Sequence, residues 1–176
     1  MTMPLIRSAL RDRSPSYAGW LAVSLAVVTL DQWTKAWIVE HFMLGQSLPL
    51  APFLDIVRWH NTGVAFSSFA GGGAWHRIAF IALGIAASVF ILWMQRRHAD
   101  RRLFCFALAM VLGGAVGNVI DRVGRGHVVD FIFVHWHDVW TFPAFNVADT
   151  AITLGALCLV LGEVLERQFA DGKPGR

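Results

Sequence analysis

The stretch LFCFALAMVLGGAVGNVIDR, which runs from Leu103 to Arg122, decides the fold. Its apolar part, Leu103 to Ile120, approaches the roughly 20 residues that an α-helix needs to cross a bilayer. Polar side chains follow at its end, although a charged side chain at the centre of a span costs roughly 2.5–3.5 kcal/mol on insertion scales. The stretch therefore predicts a transmembrane helix whose last turns have a special environment.

Three further apolar stretches predict spans of the same kind. They cover Tyr17 to Val39, Ile78 to Met94 and Phe145 to Leu165. The chain is 56% hydrophobic and 15% charged, with a mean hydropathy of +0.52. Soluble domains carry about 25% charged residues. We therefore expect an all-α membrane protein, a single domain over residues 1–176 with four transmembrane helices.

The net charge of +3 comes from basic clusters at the ends of the apolar stretches, a pattern typical of membrane proteins and not of nucleic-acid-binding proteins. One side of the predicted membrane carries ten basic residues: Arg7, Arg11, Arg13, Arg96, Arg97, Arg101, Arg102, Arg167, Lys173 and Arg176. The other side carries four: Arg58, Arg77, Arg122 and Arg125. The positive-inside rule then places both termini in the cytoplasm.

Two connecting segments lie outside under this topology. In the first, residues 40–77, the stretch Phe53–Phe66 is rich in β-branched and aromatic residues and predicts a few short strands, while Gly71–Gly73 predicts a flexible turn. The second, residues 121–144, carries Val128–Phe133. We therefore expect a small β-containing extracytoplasmic loop region, and a short disordered tail at residues 171–176.

Polar residues of several spans fall at one depth, just beneath the outer surface. The first and third spans run outward and the fourth runs inward, so their polar ends meet at this level. Spacings of three and four residues place the polar side chains of each helix on one face. The residues concerned are Asp31, Lys35, Asn118, Asp121, Arg122, Asn146 and Asp149, with Asp130 in reach from the outer loop.

Some of these charges have a structural interpretation. Asp31 with Lys35, and Asp121 with Arg122, can form ion pairs, because pairing is the usual way for a protein to tolerate a buried charge. For these four residues a structural role and a functional role remain equally open. Pairing alone would explain their presence in the membrane.

Asp130 and Asp149 are different. Neither has a basic partner at helical spacing, although Arg125 and His127 precede Asp130 in its loop. An ionisable residue at membrane depth without an evident partner favours a functional role. Two carboxyls at one level also suit acid–base chemistry, because neighbouring carboxyls do not both ionise easily.

Five blocks of the chain carry a family resemblance. They are Asp31–Lys35 (DQWTK), Asn61–Phe66 (NTGVAF), Gly113–Arg122 (GGAVGNVIDR), Val128–Phe131 (VVDF) and Phe145–Asp149 (FNVAD). In this order, and at these places in a four-helix topology, they resemble the lipoprotein signal peptidases, also called signal peptidase II. The resemblance covers nearly the whole chain between the tails.

The resemblance implies an aspartyl endopeptidase of the bacterial inner membrane with its active site near the periplasmic face. Its substrates are proproteins whose lipobox cysteine already bears diacylglycerol, and cleavage falls just before that cysteine. Globomycin inhibits members of the family, so sensitivity to it is expected. The family's catalytic pair corresponds to Asp130 and Asp149. Supporting or substrate-contacting positions correspond to Asp31, Lys35, Asn61, Asn118, Arg122 and Asn146, and a structural role beside Arg122 is assigned to Asp121.

Parts of the sequence also fit a metallopeptidase, a small transporter or a purely structural membrane protein, the last of which leaves Asp130 and Asp149 unexplained. His135-Trp136-His137-Asp138 suggests a metal site, but histidines at i and i+2 point to opposite faces of a strand, and no HExxH helix accompanies them. No metal or cofactor is therefore expected. A small transporter would line a pathway with buried charges, whereas these gather at one depth. The glycines of Gly113–Gly117 more simply predict close helix packing.

Overall fold

The computed structural model describes residues 17–63, 74–136 and 139–171. Within these residues the chain is mostly helical and carries a small antiparallel sheet, as the sequence predicted. The helices are α1 (Tyr17–His41), α2 (Ala74–Arg97), α3 (Arg102–Gly124) and α4 (Val147–Asp171). The strands are β1 (Ser47–Ala51), β2 (Leu54–Asn61), β3 (Val128–Trp136) and β4 (Trp140–Thr141).

Helix α3 is the centre of the bundle and packs against α1, α2 and α4. Its glycines allow this close approach. A Cβ atom on Gly113 would lie 2.8 Å from the Ser24 carbonyl oxygen of α1, and one on Gly114 would collide with the Ala148 carbonyl oxygen of α4. The close packing predicted from the glycine spacing is confirmed.

Three helical segments are long and apolar enough to cross a membrane: Trp75–Arg97, Arg102–Gly124 and Val147–Leu165. Large apolar side chains cover their outer surfaces, including Leu83 (65% exposed) on α2 and Leu161 (58% exposed) on α4. Exposed apolar area of this extent fits a lipid environment and would be a liability in water. The chain is therefore a membrane protein.

Helix α1 does not meet the same criterion of composition among the described residues. It has 25 residues, enough for a span, but Asp31, Gln32 and Lys35 interrupt its apolar character. The side chains of Asp31 and Lys35 are fully buried inside the protein. Three spans thus follow from length and hydropathy, where four were predicted.

Several boundaries differ from the prediction. Helix α4 begins at Val147 and not at Phe145, because Phe145 pairs with a strand and Asn146 caps the helix. Helix α3 continues to Gly124, beyond the predicted Ile120. The predicted turn at residues 71–73 and the tail at residues 172–176 lie outside the described residues.

The sheet has the strand order β1-β2-β3-β4, and its neighbouring strands are antiparallel. Strand β2 confirms the strands predicted around Phe53–Phe66, of which residues 64–66 are not described. The sheet packs against the end of α1 through a buried cluster of Ile38, Phe42, Val129 and Phe131. This contact places the beginning of β3 beside the polar ends of the helices.

Candidate active site

Asp130 lies on β3, in the buried part of the strand, with 3% of its surface exposed. Both of its carboxylate oxygens accept hydrogen bonds from asparagine amides. Asn61 Nδ2 donates to Oδ2 at 3.0 Å, and Asn146 Nδ2 donates to Oδ1 at 2.7 Å. These donors fix the orientation of the carboxyl group and stabilise its ionised form.

A tight turn at the end of β2 orients Asn61. The backbone N–H of Gly63 donates to Asn61 Oδ1 at 2.8 Å, so the amide nitrogen is left to face Asp130. Gly63 has φ +88°, and a Cβ atom there would lie 2.5 Å from the ring of Phe80. The turn therefore requires glycine both for its backbone conformation and for space.

Asp149 lies in the first turn of α4 and forms a reciprocal cap with Asn146. Asp149 N donates to Asn146 Oδ1 at 3.0 Å, while Asn146 N donates to Asp149 Oδ2 at 3.2 Å. The arrangement is a capping box, which satisfies two N–H groups at the start of the helix. Asn118 Nδ2 of α3 donates to the other oxygen of Asp149 at 2.9 Å.

The pairing of β3 with the residue before the cap brings the two aspartates to one place. Phe145 N donates to Ile132 O at 3.0 Å, and Ile132 N returns a bond to Phe145 O at 2.9 Å. Asn146 then contacts both carboxyls, Asp130 through its side-chain amide and Asp149 through its backbone N–H. Two residues that are 19 positions apart in the chain thus share one hydrogen-bond partner.

Lys35 is the hub of a second, fully buried polar cluster. Its ammonium group donates to Asp31 Oδ2 at 2.8 Å, to Asp121 Oδ2 at 2.9 Å and to Asn118 Oδ1 at 3.1 Å. All three donors of the ammonium are therefore used. Because Asn118 accepts from Lys35 and donates to Asp149, the lysine charge polarises the amide that holds the carboxyl.

Asp31 fixes the start of α4 from a neighbouring helix. Its Oδ1 accepts a hydrogen bond from the backbone N–H of Ala148 at 2.9 Å, one residue before Asp149. A carboxylate at a helix N-terminus is favourable because the first N–H groups have no intrahelical partner. Gly117 leaves room for this carboxylate, since a Cβ atom there would lie 2.6 Å from Asp31 Oδ2.

The ion-pair partners of Asp121 differ from the sequence-based expectation. Asp121 pairs with Lys35 and Arg125, and Gln32 bridges the group by donating to Asp121 Oδ1 and accepting from Arg125. The predicted pairing with Arg122 was wrong, because adjacent residues on a helix point in different directions whereas residues four apart share a face. The i,i+4 spacing of Asp121 and Arg125 is the sequence signal that would have identified the pair.

The side chain of Arg122 makes contacts different from the pairing with Asp121 that was predicted. Its Nη1 donates to the Asn118 carbonyl oxygen at 3.3 Å, and its guanidinium lies over the ring of Phe80 of α2 at 5.0 Å from the centroid. The side chain is partly exposed. The side chain thus extends from α3 toward α2. Asn118, four residues earlier on α3, donates to Asp149.

Burial raises the pKa of Asp130 to about 6, from an ordinary value of 3.8. The hydrogen bond from Asn61 opposes this shift, the negative charge of Asp149 adds to it, and Asn146 and Lys35 oppose it. Desolvation disfavours the carboxylate more strongly than the donors favour it. Asp130 therefore takes up a proton more readily than an exposed aspartate.

An apolar groove of about 320 Å³ lies beside Asp149. Phe142, Phe145 and Leu154 supply apolar walls, and Thr150 adds a hydroxyl group. The groove opens along α4, whose outer surface carries large exposed apolar residues. An apolar chain lying in it would pass directly beside the carboxyl group.

The histidine-rich stretch considered as a metal site has a different contact. His135 Nε2 lies 3.1 Å from Asp55 Oδ1, and Ser47 Oγ donates to the other oxygen of Asp55 at 2.6 Å. His137 and Asp138 lie outside the described residues. Among residues 17–63, 74–136 and 139–171, no group of three or more His, Cys, Asp or Glu side chains is arranged to hold a metal ion.

Two carboxyl groups that share a hydrogen-bond partner inside a membrane bundle are the arrangement expected of a membrane-embedded aspartic peptidase. The family model described as Signal peptidase (SPase) II matches residues 23–165. That match spans both helical and sheet regions. The chain belongs to the signal peptidase II family, whose members are membrane aspartic peptidases.

Relatives and solved structures agree with this family over most of the chain. The chain is similar to the lipoprotein signal peptidase of Paraburkholderia phymatum, at 46% identity over 90% of this chain and 95% of the relative. It is also similar to that of Cupriavidus necator, at 50% identity over 82% of both chains. A solved structure described as a bacterial membrane enzyme superposes with a TM-score of 0.74 at 28% identity, over 90% of this chain and 94% of the other. A second such structure gives a TM-score of 0.72 at 30% identity, over 82% and 91%.

Proposed function

We propose that Asp130 and Asp149 are the catalytic pair of this signal peptidase, which removes the signal peptide from diacylglyceryl-modified prolipoproteins just before the lipid-modified cysteine. The observation that carries the assignment is the double contact of Asn146, at 2.7 Å to Asp130 Oδ1 and 3.2 Å to Asp149 Oδ2. One residue thereby holds both carboxyls toward a common point. No cofactor enters the proposal.

The pair hydrolyses the peptide bond by acid–base chemistry. The ionised carboxyl takes a proton from a water molecule, the water oxygen bonds to the scissile carbonyl carbon, and the protonated carboxyl delivers its proton to the leaving amine. The raised pKa of Asp130 suits this division of roles, because one carboxyl must keep its proton near neutral pH.

Arg122 is the side chain we assign to the substrate. The amide nitrogens of Asn61, Asn118 and Asn146 already donate to the two aspartates, so these residues position the pair. Arg122 instead contacts only a backbone carbonyl and an aromatic ring among the bonds described above. Its guanidinium can donate to a substrate carbonyl oxygen as negative charge develops there.

We assign the remaining sequence-predicted residues to the support of this centre. Lys35 and Asp121 belong to the buried cluster that holds Asn118, and Asp31 caps α4. Asp121 keeps a structural role, with Arg125 as its partner in place of Arg122. None of these three carboxylate or ammonium groups contacts Asp130 or Asp149 directly in the described bonds.

The membrane placement that we propose has four spans, with α1 as the fourth. Both termini then lie in the cytoplasm, the sheet and the two aspartates lie near the periplasmic face, and the membrane is the bacterial inner membrane. The distribution of basic residues supports this orientation. Burial of Asp31 and Lys35 against α3 explains how α1 can cross the bilayer with charged residues. The whole chain forms one domain around α3.

The lipid of the substrate fits this placement. A diacylglyceryl cysteine keeps its acyl chains in the bilayer, so the adjacent peptide bond lies near the membrane surface at the level of the aspartates. The apolar groove beside Asp149 runs along the lipid-facing side of α4 and suits an apolar part of the substrate. We also propose, from the family resemblance, that globomycin inhibits this enzyme.

Single replacement of either aspartate tests the assignment. The assay measures cleavage of a lipidated precursor. We expect Asp130→Asn and Asp149→Asn each to lower turnover by about 10²–10⁴-fold, the usual contribution of a positioned acid–base group. The matched control is Asp55→Asn on β2, whose carboxylate bonds to Ser47 and His135 and not to the pair.

Each variant is checked for folding by circular dichroism and thermal unfolding in detergent. Turnover within a few-fold of the wild type by a folded Asp130→Asn or Asp149→Asn protein would refute the catalytic role. A comparable loss in Asp55→Asn would show that the assay responds to any change of charge in the sheet.

A further inference from the structure

At the end of the bundle opposite the aspartates, the start of α3 and the last turns of α4 enclose a groove of about 450 Å³. Fourteen residues of α3 separate Phe104, which lines this groove, from Asn118 at the polar end of the helix, a distance of about 21 Å. The groove is therefore remote from the proposed active site. We name it the arginine groove, because Arg101 and Arg102 line its mouth.

The walls of the arginine groove are apolar. Phe104 and Leu159 lie along it, and Leu165 closes one side. Gly162 provides the space, because a Cβ atom there would meet Leu103 Cδ2 only at 3.4 Å and a longer side chain would enter the groove. An apolar channel of this size beneath a pair of cations has the two parts needed to hold a phospholipid: a phosphate site and an acyl-chain site.

The charge at the mouth favours an anion. Among the described side chains, two arginines and one glutamate, Glu163, line the groove, and their charges sum to +1. Arg96 and Arg97 at the end of α2 add to the positive potential, but they lie over the rings of Tyr17 and Trp93 and are not among the residues that line the groove. The Arg101 guanidinium, in contrast, lies 4.9 Å from the centre of the Phe104 ring within the groove.

We propose that the arginine groove binds one anionic phospholipid of the adjacent leaflet, which is the cytoplasmic leaflet under the orientation proposed above. The phosphate lies against Arg101 and Arg102, and an acyl chain lies along the wall that Gly162 leaves open. Basic pockets between transmembrane helices recognise anionic headgroups in this way. The site is separate from peptide cleavage and from the lipid carried by the substrate.

Native mass spectrometry of the purified full chain measures the proposal directly. The protein is exposed to phosphatidylglycerol or to phosphatidylcholine with the same acyl chains, and the retained lipid is quantified. We expect one tightly retained phosphatidylglycerol and weaker retention of phosphatidylcholine. Arg101→Gln with Arg102→Gln should weaken phosphatidylglycerol binding by roughly fivefold per arginine. Gly162→Leu should weaken it by filling the groove without a change of charge.

The matched control is Arg96→Gln with Arg97→Gln, which removes the same charge from the end of α2, outside the groove. Its retention of phosphatidylglycerol should stay within about twofold of the wild type. Equal retention of the two lipids, or equal loss in the two double variants, would overturn the proposal in favour of general attraction to a basic surface. Displacement of the lipid by a lipidated precursor would assign the groove to substrate and also overturn it. Cleavage by every variant is measured alongside, so failure of the lipid site is distinguishable from failure of the catalytic assignment.

Discussion

At the scale of single residues, three asparagines position the two aspartates. Asn118 and Asn146 are buried, whereas Asn61 is exposed. Each accepts a hydrogen bond at its side-chain oxygen and donates one from its amide nitrogen to Asp130 or Asp149. An amide is neutral and carries a donor and an acceptor, so it holds a carboxyl without fixing its protonation state as a cation would. Under the proposed mechanism, the pair can therefore exchange protons while its geometry stays constant.

The pH profile tests this role for Asn61. Its hydrogen bond lowers the pKa of Asp130, so Asn61→Ala should raise that pKa above about 6. The raised pKa suits Asp130 to hold the proton of the proposed pair, so activity should fall as pH rises through this pKa and the proton is lost. The alkaline limb of kcat/KM against pH should therefore move to higher pH in the variant.

The comparison for this experiment is Ser47→Ala, which removes a hydrogen bond on the same sheet at Asp55. Its alkaline limb should coincide with that of the wild type. If Asn61→Ala lowered kcat/KM equally at every pH, or moved the limb to lower pH, the hydrogen bond would not tune the pair.

The residues that the sequence singles out are those whose charge is anomalous at membrane depth. Asp130 and Asp149 could be singled out because no basic residue accompanies them at helical spacing. The sequence does not single out Gln32, because a neutral amide near the end of a span costs less than a charge and is not anomalous there. In the structure, however, Gln32 Nε2 donates to Asp31, Gly117 and Asp121. Its importance follows from the meeting of α1 and α3, which a single sequence does not specify.

At the scale of elements, the contact between α3 and α4 sets the position of the helix that carries Asp149. Gly114 of α3 packs against the backbone of Ala148, the residue before Asp149. Further along the same interface, Gly155 of α4 packs just as closely against the backbone of Ala107 of α3. Small residues at helix interfaces allow such contact in membranes, where packing replaces the hydrophobic effect as the main attraction. The distance between α3 and α4 therefore determines where the start of α4 lies.

Enlargement of Gly114 should therefore affect catalysis. In Gly114→Ala the new methyl group collides with the Ala148 carbonyl oxygen and lies 2.7 Å from Ile152 Cγ1, so α4 must move away. We expect a loss of about 1–3 kcal/mol in stability from overpacking, and a fall in turnover of about tenfold or more. Thermal unfolding and the cleavage assay measure the two effects.

Gly124→Ala is the paired control, because a Cβ atom at the end of α3 meets nothing within 4 Å. It should retain the thermal stability and turnover of the wild type. Wild-type behaviour of Gly114→Ala itself would contradict the view that this interface positions Asp149.

The sequence predicts which helices and strands form better than it predicts where they begin and how they pair. Apolar length predicted the helices, and β-branched and aromatic residues predicted β2. The bridge between Ile132 and Phe145 was not predicted, and Phe145 was placed in the fourth helix because it is apolar like the residues that follow. Propensity cannot distinguish a strand partner from a first helical turn when tertiary pairing decides between them.

At the scale of the whole molecule, the proposed depth of the two aspartates bears on the choice of substrate. The carboxyls lie where α1, α3, α4 and the sheet meet, at one end of the bundle. A peptide bond reaches this level when an attached lipid holds it there. Substrate choice is then a matter of position as much as of side-chain recognition.

Removal of the substrate lipid tests this idea. We expect kcat/KM for an unmodified precursor to be at least about a hundredfold below that for the diacylglyceryl form, since burial of four methylene groups at ~0.8 kcal/mol each already exceeds this factor. Both precursors are assayed in the same vesicles at equal incorporated amounts. Equal rates would mean that the enzyme finds its cleavage site by sequence alone.

The buried ion pairs have a consequence for biogenesis. Asp31 and Lys35 are four residues apart on α1, and Asp121 of α3 is four residues before Arg125, which follows the end of that helix. Each of these pairs can therefore form within one segment before α1 meets α3, at a lower cost of insertion than separate charges would impose. When α1 and α3 later dock, Lys35 gains Asp121 as a second partner. The spacing of these two pairs is thus compatible with insertion first and assembly second.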